Sequence, residues 1–303
     1  MIEGASIKKG KSRIETRTSR TAEFTCMSRA ASYKETRECY QGTDNIAYAL
    51  VPGFIKLLLR FQRFCHVYNK YLAPKGIYEY VIARTKYIDS LFMDALKQGF
   101  DQIVIFGAGF DSRAQRFSEL NKKTKIFELD ASITQENKLK AFKNKRIMIP
   151  ENLIYVPINF NKDNLAEKLT DSGCEKNRKT LFLLEGVTMY LSNDAVDTTF
   201  NVIRNVAGKG SWVVFDYIYA GVLRQENKYY GEKDIFKTVA KAGEAWLFAL
   251  EEGEIETFLE KYSFTLKNQS NAQALEELYF KNEAGHIVGK INTTHSIAWG
   301  IKD

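Results

Sequence analysis

The sequence predicts an α/β protein built on a largely parallel sheet, with a helical segment in front of it. Three observations predict this. The run Gln102–Phe106 (QIVIF) ends in the glycine turn Gly107-Ala108-Gly109, and a second run follows it and ends in Glu128 and Asp130. Further short apolar runs, at 153–160, 180–184, 211–216, 264–268 and 294–301, bring the strands to seven. Between most of them lie stretches with apolar residues at helical spacing. Runs that are apolar at nearly every position suit central strands covered on both faces, which is the habit of parallel sheets.

With 303 residues the chain has room for one large domain or for a domain with an appended cap. It contains no run of 18 apolar residues, and the start MIEGASIKKGKSRIE lacks an apolar stretch, so a cytoplasmic protein is expected. The four cysteines, Cys26, Cys39, Cys65 and Cys174, show no C-x-x-C spacing, and only His66, His286 and His295 could join them in a metal site. Reduced thiols and no metal are expected. The formal net charge is +7, and residues 1–20 alone carry six Lys/Arg against two Glu. The excess therefore sits mainly in a basic, Ser/Thr-rich tail that reads as disordered, and a nucleic-acid partner is not expected.

After the tail, 21–31 reads as a helix that Thr18 or Ser19 can cap, and Gln41-Gly42-Thr43-Asp44 breaks the pattern. From Phe54 to Leu72 the apolar residues Phe54, Leu57, Leu58, Phe61, Phe64 and Tyr68 fall on one helical face, assigned to the core. Pro74 and Gly76 separate this helix from another over 77–98, whose face of Val81, Ile88, Leu91, Phe92 and Ala95 would pack on the sheet. Arg84 interrupts that face. It reads equally as a surface residue, an ion-pair partner or a group reaching over a ligand.

Beyond the glycine turn, Asp111 or Ser112 can cap a short helix before the strand at 124–129. The strand at 153–160 carries Asn159 near its end, and Asp163 or Asn164 caps a helix to Leu169. The run 180–184 stops at Glu185-Gly186, a charge at the carboxyl end of a central strand, where α/β proteins keep ligands. A helix over 192–206 leads to the strand 211–216. The excursion from Tyr217 to about Gly243, with Tyr219, Tyr229 and Tyr230, breaks the rhythm and reads equally as a substrate-binding lid over the ligand edge and as an ordinary surface excursion. A helix at 251–262, a strand at 264–268, a connection at 272–279 and a strand at 294–301 complete the chain.

The glycine pattern separates two cofactor classes. A dinucleotide fingerprint G-x-G-x-x-G would place a third glycine where Ser112 stands, and Asp111 is awkward beside a pyrophosphate. An acid there is acceptable next to a ligand carrying an ammonium and a sulfonium, so S-adenosyl-L-methionine fits better than NAD. Gly107 and Gly109 let the backbone approach that ligand closely. Glu128 and Asp130 lie at the distance from the turn at which such folds set an acid against ribose hydroxyls, and Asn159 stands where a side chain can touch an adenine.

IARTKYIDSLF, QIVIFGAGFDSRAQRF, IFELDA, YVPINF, LLEGVTMYL, WVVFDY and GEAWLFALEEGEIETFLEKYSFTL, in this order and spacing, resemble the leucine carboxyl methyltransferase family, in particular its small-molecule O-methyltransferase branch. The resemblance implies a class I methyltransferase (Rossmann-like) α/β fold, a seven-stranded sheet with its last strand antiparallel. It also implies an N-terminal helical cap over 21–99 and a cofactor-binding domain over 100–303, with a lid at about 217–245. By the same resemblance Arg84 would bind the methionine carboxylate, Gly107 would back the methionine moiety, with Gly109 also among the cofactor-binding residues, Asp130 would hold the ribose, and Asn159 and Phe160 would meet the adenine, at a pair the family usually writes Asp-Leu. Glu185 would lie near the ammonium and the transfer centre. Either Arg29 or Lys34 would be the basic residue of the cap that touches the cofactor.

No catalytic residue is assigned; Glu185, Tyr190 and Tyr217 are candidates for positioning the acceptor. The implied activity is O-methylation of a carboxylate on a small molecule or a peptide C-terminus. A non-catalytic regulatory protein binding S-adenosyl-L-methionine and a tRNA-modifying methyltransferase of the same fold are the alternatives. A carboxylate is ionised at neutral pH and needs no general base, whereas a phenol would need one, with His295 or Glu185 as nominees.

Overall fold

The computed structural model describes residues 19–61, 73–120, 122–160 and 162–303. Seven strands form one sheet: β1 (Gln102–Phe106), β2 (Lys125–Asp130), β3 (Leu153–Pro157), β4 (Thr180–Leu184), β5 (Trp212–Ile218), β6 (Phe264–Ser270) and β7 (His295–Lys302), in the order β3-β2-β1-β4-β5-β7-β6. The first five pair in parallel, and β7 runs antiparallel to both β5 and β6. Every residue of β1, β4 and β5 is buried, which is why these runs carry no polar alternation.

The helices are α1 (Arg20–Tyr33), α2 (Asn45–Leu50), α3 (Gly53–Leu58), α4 (Ile77–Lys97), α5 (Arg113–Arg116), α6 (Ser132–Lys145), α7 (Leu165–Asp171), α8 (Asn193–Val206), α9 (Ala220–Leu223), α10 (Glu232–Ala242), α11 (Ile255–Lys261) and α12 (Ala272–Tyr279). Successive strand residues face opposite sides of the sheet and so join two separate cores. Val104, Phe106, Phe182, Leu184 and Phe215 pack with Phe200 and Ile203 of α8 on one side. Ile103, Ile105, Leu181, Leu183 and Val214 pack with Ile88, Phe92 and Ala95 of α4 on the other.

Register places the site. Phe106 pairs with both Leu129 and Leu184, and Leu184 pairs with Phe215. The next residues along, Gly107, Asp130, Glu185 and Asp216, therefore fall in one row at the carboxyl edge, with Asp130 and Asp216 still inside their strands. The strand order reverses at the junction of β1 with β4, the switch point at which such sheets open a crevice.

Two expectations change. The long helix from Phe54 is replaced, as far as residue 61, by the short α3, which ends at Leu58. Phe54, Leu57 and Phe61 are 68%, 56% and 60% exposed, so this part of the stripe is not core; residues 62–72 lie outside the described residues, as do 1–18 of the basic tail. The other change is the unforeseen α6, which carries no continuous apolar stripe for a periodicity argument to find. It buries Phe142 together with the polar Thr134, Gln135 and Lys138. No described helix is long and apolar enough to cross a membrane, and no described group of His, Cys, Asp and Glu could hold a metal ion.

Candidate functional site

The carboxyl edge opens into a cavity of about 610 Å³, walled by the turns after β1, β2, β3 and β4, by α1, by Arg84 of α4 and by Glu244. Asp130 joins two of these turns. Its Oδ2 accepts the Gly109 N–H at 2.5 Å and its Oδ1 the Ala131 N–H at 2.6 Å. The first contact exists because Gly107 and Gly109, at φ 58° and 51°, fold the turn back over the strand end. A Cβ on Gly107 would lie 2.5 Å from Val187 Cγ2, so this glycine is required by space as well as by conformation. Burial raises the Asp130 carboxyl above its ordinary range, against the two N–H donors that favour its charge. Each oxygen keeps a lone pair for a further donor.

Behind the row lies a buried lattice of charge. Arg84 places Nη1 2.5 Å from Asp216 Oδ2 and Nε 3.0 Å from Glu185 Oε1. Only the first has hydrogen-bond geometry, since Nε finds no acceptor along its N–H direction. Asp216 also accepts from the Tyr80 hydroxyl at 3.0 Å and from the Gly186 N–H at 2.6 Å. Arg113 meets Glu185 Oε2 at 2.8 Å and Asp89 at 2.8 Å and pairs with Asp111 as well. Burial opposes the charge of Glu185, but Arg113 and Arg84 outweigh it and hold the carboxyl below its usual range. Burial likewise opposes the charge of Arg84, and Asp216 and Glu185 overcome it, raising the guanidinium above its usual range.

Most sequence-nominated residues meet in this cavity: Arg84, Gly107, Gly109, Asp130, Asn159, Phe160, Glu185 and Tyr190 all line it. Of the two basic candidates Arg29 lines it and Lys34 does not. Arg29 donates to Asp44 and, at 2.8 Å, to the Phe110 carbonyl of the glycine turn, while Lys34 lies over the rings of Tyr33 and Tyr48. Tyr217 is corrected: it is 1% exposed, packs in the core and accepts from Gln269 at 2.8 Å, away from the cavity. Glu128 points to a different partner from Asp130, the buried Lys138 at 2.5 Å. His295 is buried between Tyr80 and Trp246 and does not line the cavity.

Four charged residues escaped the sequence reading. Asp89 and Arg113 lie inside the quoted stretches IARTKYIDSLF and GAGFDSR, and their separation by 24 residues hides their contact. Asp216 could have been suspected as an acid one residue past an apolar run. Glu244 gave no signal, because its partners are about 225 residues away at the start of α1.

Residues 29–204, well over half of the chain, match the family described as leucine carboxyl methyltransferase. The chain belongs to that family. The matched stretch contains Arg84, Gly107, Asp130, Asn159 and Glu185 and stops short of Asp216 and Glu244. Over 216 residues the chain is 29% identical to YktD of Bacillus subtilis, an inferred S-adenosyl-L-methionine-dependent methyltransferase, covering 71% of this chain and 70% of that protein. A similarly named protein of Mycobacterium avium is 32% identical over 138 residues, which are 46% of this chain and 44% of that one. The chain thus spans less than half the length of this second relative. Among solved structures, a DUF574 family protein from Streptomyces avermitilis superposes with a TM-score of 0.60 at 12% identity, over 96% of this chain and 100% of that one. An inferred methyltransferase from Thermobifida fusca gives 0.57 at 14%, over 94% and 98%. At these identities the two structures bear on the fold, a seven-stranded class I methyltransferase sheet.

Proposed function

We propose that the protein transfers the methyl group of S-adenosyl-L-methionine to an oxygen of a small molecule or peptide, with a carboxylate as the acceptor. The observation that carries this reading is Asp130, a buried carboxylate at the end of β2 with two oxygens each half-used by the backbone of the adjoining turns. Two neighbouring hydroxyls, as on a ribose, satisfy what remains. The other residues fit the same ligand. Arg84 Nη2 makes no hydrogen bond among the described residues and can take a carboxylate, while Glu185 and Asp111 supply negative charge for an ammonium and a sulfonium. The cavity volume of about 610 Å³ lies within the ordinary range for a cofactor with its substrate.

Bound S-adenosyl-L-methionine supplies a methyl group on a positively charged sulfur, so that a C–O bond forms as the C–S bond breaks and its electron pair returns to sulfur. The protein has then to orient the acceptor and exclude water. Glu185 is fixed between two arginines, Asp111 is paired with Arg113, and His295 stands outside the cavity. None of them is free to take a proton, which suits an acceptor that has none to give. Tyr190, with its hydroxyl 3.2 Å from Thr21 Oγ1, is the remaining positioning group.

The test is calorimetric titration of wild type and Asp130→Asn with S-adenosylhomocysteine and with NADH. Selective micromolar binding of the sulfur ligand, weakened in the variant, supports the cofactor assignment. A labelled-methyl screen of carboxylates, phenols and tRNA then decides the acceptor, and turnover of phenols alone would overturn the carboxylate.

A further inference from the structure

One wall of the cavity is built by a contact between the start of α1 and Glu244, which are about 225 residues apart in sequence. Glu244, just past α10, accepts the Arg20 N–H at 2.9 Å through Oε1 and the hydroxyls of Ser19 and Thr21 at 3.3 and 2.5 Å through Oε2. Thr21 continues to Tyr190, so that a carboxylate, an alcohol and a phenol stand in a line along one wall.

Of the acids that line the cavity, Glu244 shares with Asp130, and not with Asp111 or Glu185, the lack of a cationic partner among the described residues, and the remaining acid there, Asp163, is exposed. Asp111 and Glu185 are each held by an arginine, and Asp130 by two turns of backbone. Glu244 is only 6% exposed, lines the cavity, and has no lysine, arginine or histidine within ion-pair distance among the described residues. Its three donors are a backbone N–H and two alcohols, all neutral. A carboxylate offers about four lone-pair sites, and a buried anion without a cation is costly. A capping role for α1 alone would be met by a neutral side chain, since Ser19 already accepts the Ala22 N–H.

We propose that Glu244 selects the methyl acceptor by its charge, and that the acceptor is an amino acid in the broad sense: a molecule with an ammonium group some distance from the carboxylate that is methylated. This rests on the carboxylate reading of the site and narrows it. The ammonium supplies the cation that Glu244 lacks, while Thr21 and Tyr190 offer hydroxyls to the same end of the acceptor. An acceptor that presents only negative charge is repelled from this wall.

The experiment uses the protein saturated with S-adenosylhomocysteine and titrates it with ω-amino carboxylates, from β-alanine to 6-aminohexanoate, and with the matching carboxylates that lack the amine. The series spans the unknown spacing of the two charges. At low salt at least one amino member binds about tenfold tighter than its match, Glu244→Gln erases the difference, and Glu244→Asp keeps part of it. The affinity of Glu244→Gln for S-adenosylhomocysteine stays within about twofold of wild type, which also shows that the variant is folded. Absence of any preference along the series overturns the proposal. So does a Glu244→Gln variant that loses affinity for S-adenosylhomocysteine, because the charge would then serve the cofactor. Failure of wild type to bind S-adenosylhomocysteine at all sinks the function proposed above instead.

Discussion

Arg84 of α4 and Asp216 of β5, 132 residues apart in sequence, form a buried ion pair with Nη1 2.5 Å from Oδ2. The pair fixes the helix to the strand edge and turns the guanidinium toward the cavity. Asp216 is wholly buried and holds Tyr80 and the Gly186 backbone as well, so its loss leaves several groups unsatisfied at once. Asp216→Ala is expected to cost about 3–5 kcal/mol of unfolding free energy, the price of stranding a buried charge. Asp216→Asn costs less, because an amide oxygen still accepts from Gly186. Urea denaturation of both variants checks the order, and equal midpoints for wild type and Asp216→Ala would refute it.

His295 gives the stability a pH dependence of known sign. Burial, and then the charge of Arg84, lower its pKa from the ordinary 6.5 to about 3. As pH falls through 6.5 the unfolded chain takes up the proton while the folded chain refuses it until about 3. The stability linked to a neutral His295 is therefore complete above 6.5 and is lost progressively as pH falls toward 3. Within that window the slope is about 1.4 kcal/mol per pH unit. His295→Asn flattens this limb between pH 6 and 4, as unfolding curves at several pH values would show; an unchanged slope would mean the imidazole is not the group responsible.

The strands and the glycine turn were legible because burial on both faces demands unbroken apolar runs, and a positive φ demands glycine. Asp130 and Glu185 could be read because each follows such a run at a fixed register. The lattice that holds them could not. Asp89 reaches Arg113 and Asp216 reaches Arg84 through packing of α4 against the sheet, which no local period encodes. The stripe at Phe54 fails for a related reason: helical spacing identifies a face but not what covers it, and Pro52-Gly53 restarts the chain as the short α3 with Phe54 and Leu57 outward. Tyr217 was misplaced by strand length. β5 continues to Ile218, so the residue lies within the sheet and not beyond its edge.

Gly107 makes a sharper test of the turn than Gly109, whose added Cβ would come 3.1 Å from Ala22 Cβ, a tight approach but a wider one than the 2.5 Å at Gly107. Gly107→Ala combines a left-handed backbone, costing about 1–3 kcal/mol, with a 2.5 Å approach to Val187 Cγ2. The two contributions separate in a double-mutant cycle. Val187→Ala relieves the approach and leaves the φ cost, so the pair is expected to be more stable than Gly107→Ala alone, though less stable than wild type. Strict additivity of the two losses would show that the side chain at 187 does not press on the turn.

Arg29 and Lys34 were equivalent candidates by sequence, and the fold separates them by what each holds. The Arg29 guanidinium bridges Asp44, which caps α2 through the Ala47 N–H, to the Phe110 carbonyl in the glycine turn. A lysine keeps the charge but cannot span both acceptors. Arg29→Lys is accordingly expected to loosen the turn beside Gly109 and weaken S-adenosylhomocysteine binding by about tenfold, the effect of one charge-assisted hydrogen bond. Lys34→Ala, at the end of α1 over the rings of Tyr33 and Tyr48 and outside the cavity lining, leaves that affinity within about twofold. Calorimetry on the two variants decides the matter, since a loss in Lys34→Ala matching that in Arg29→Lys would mean the cap is not anchored through Arg29.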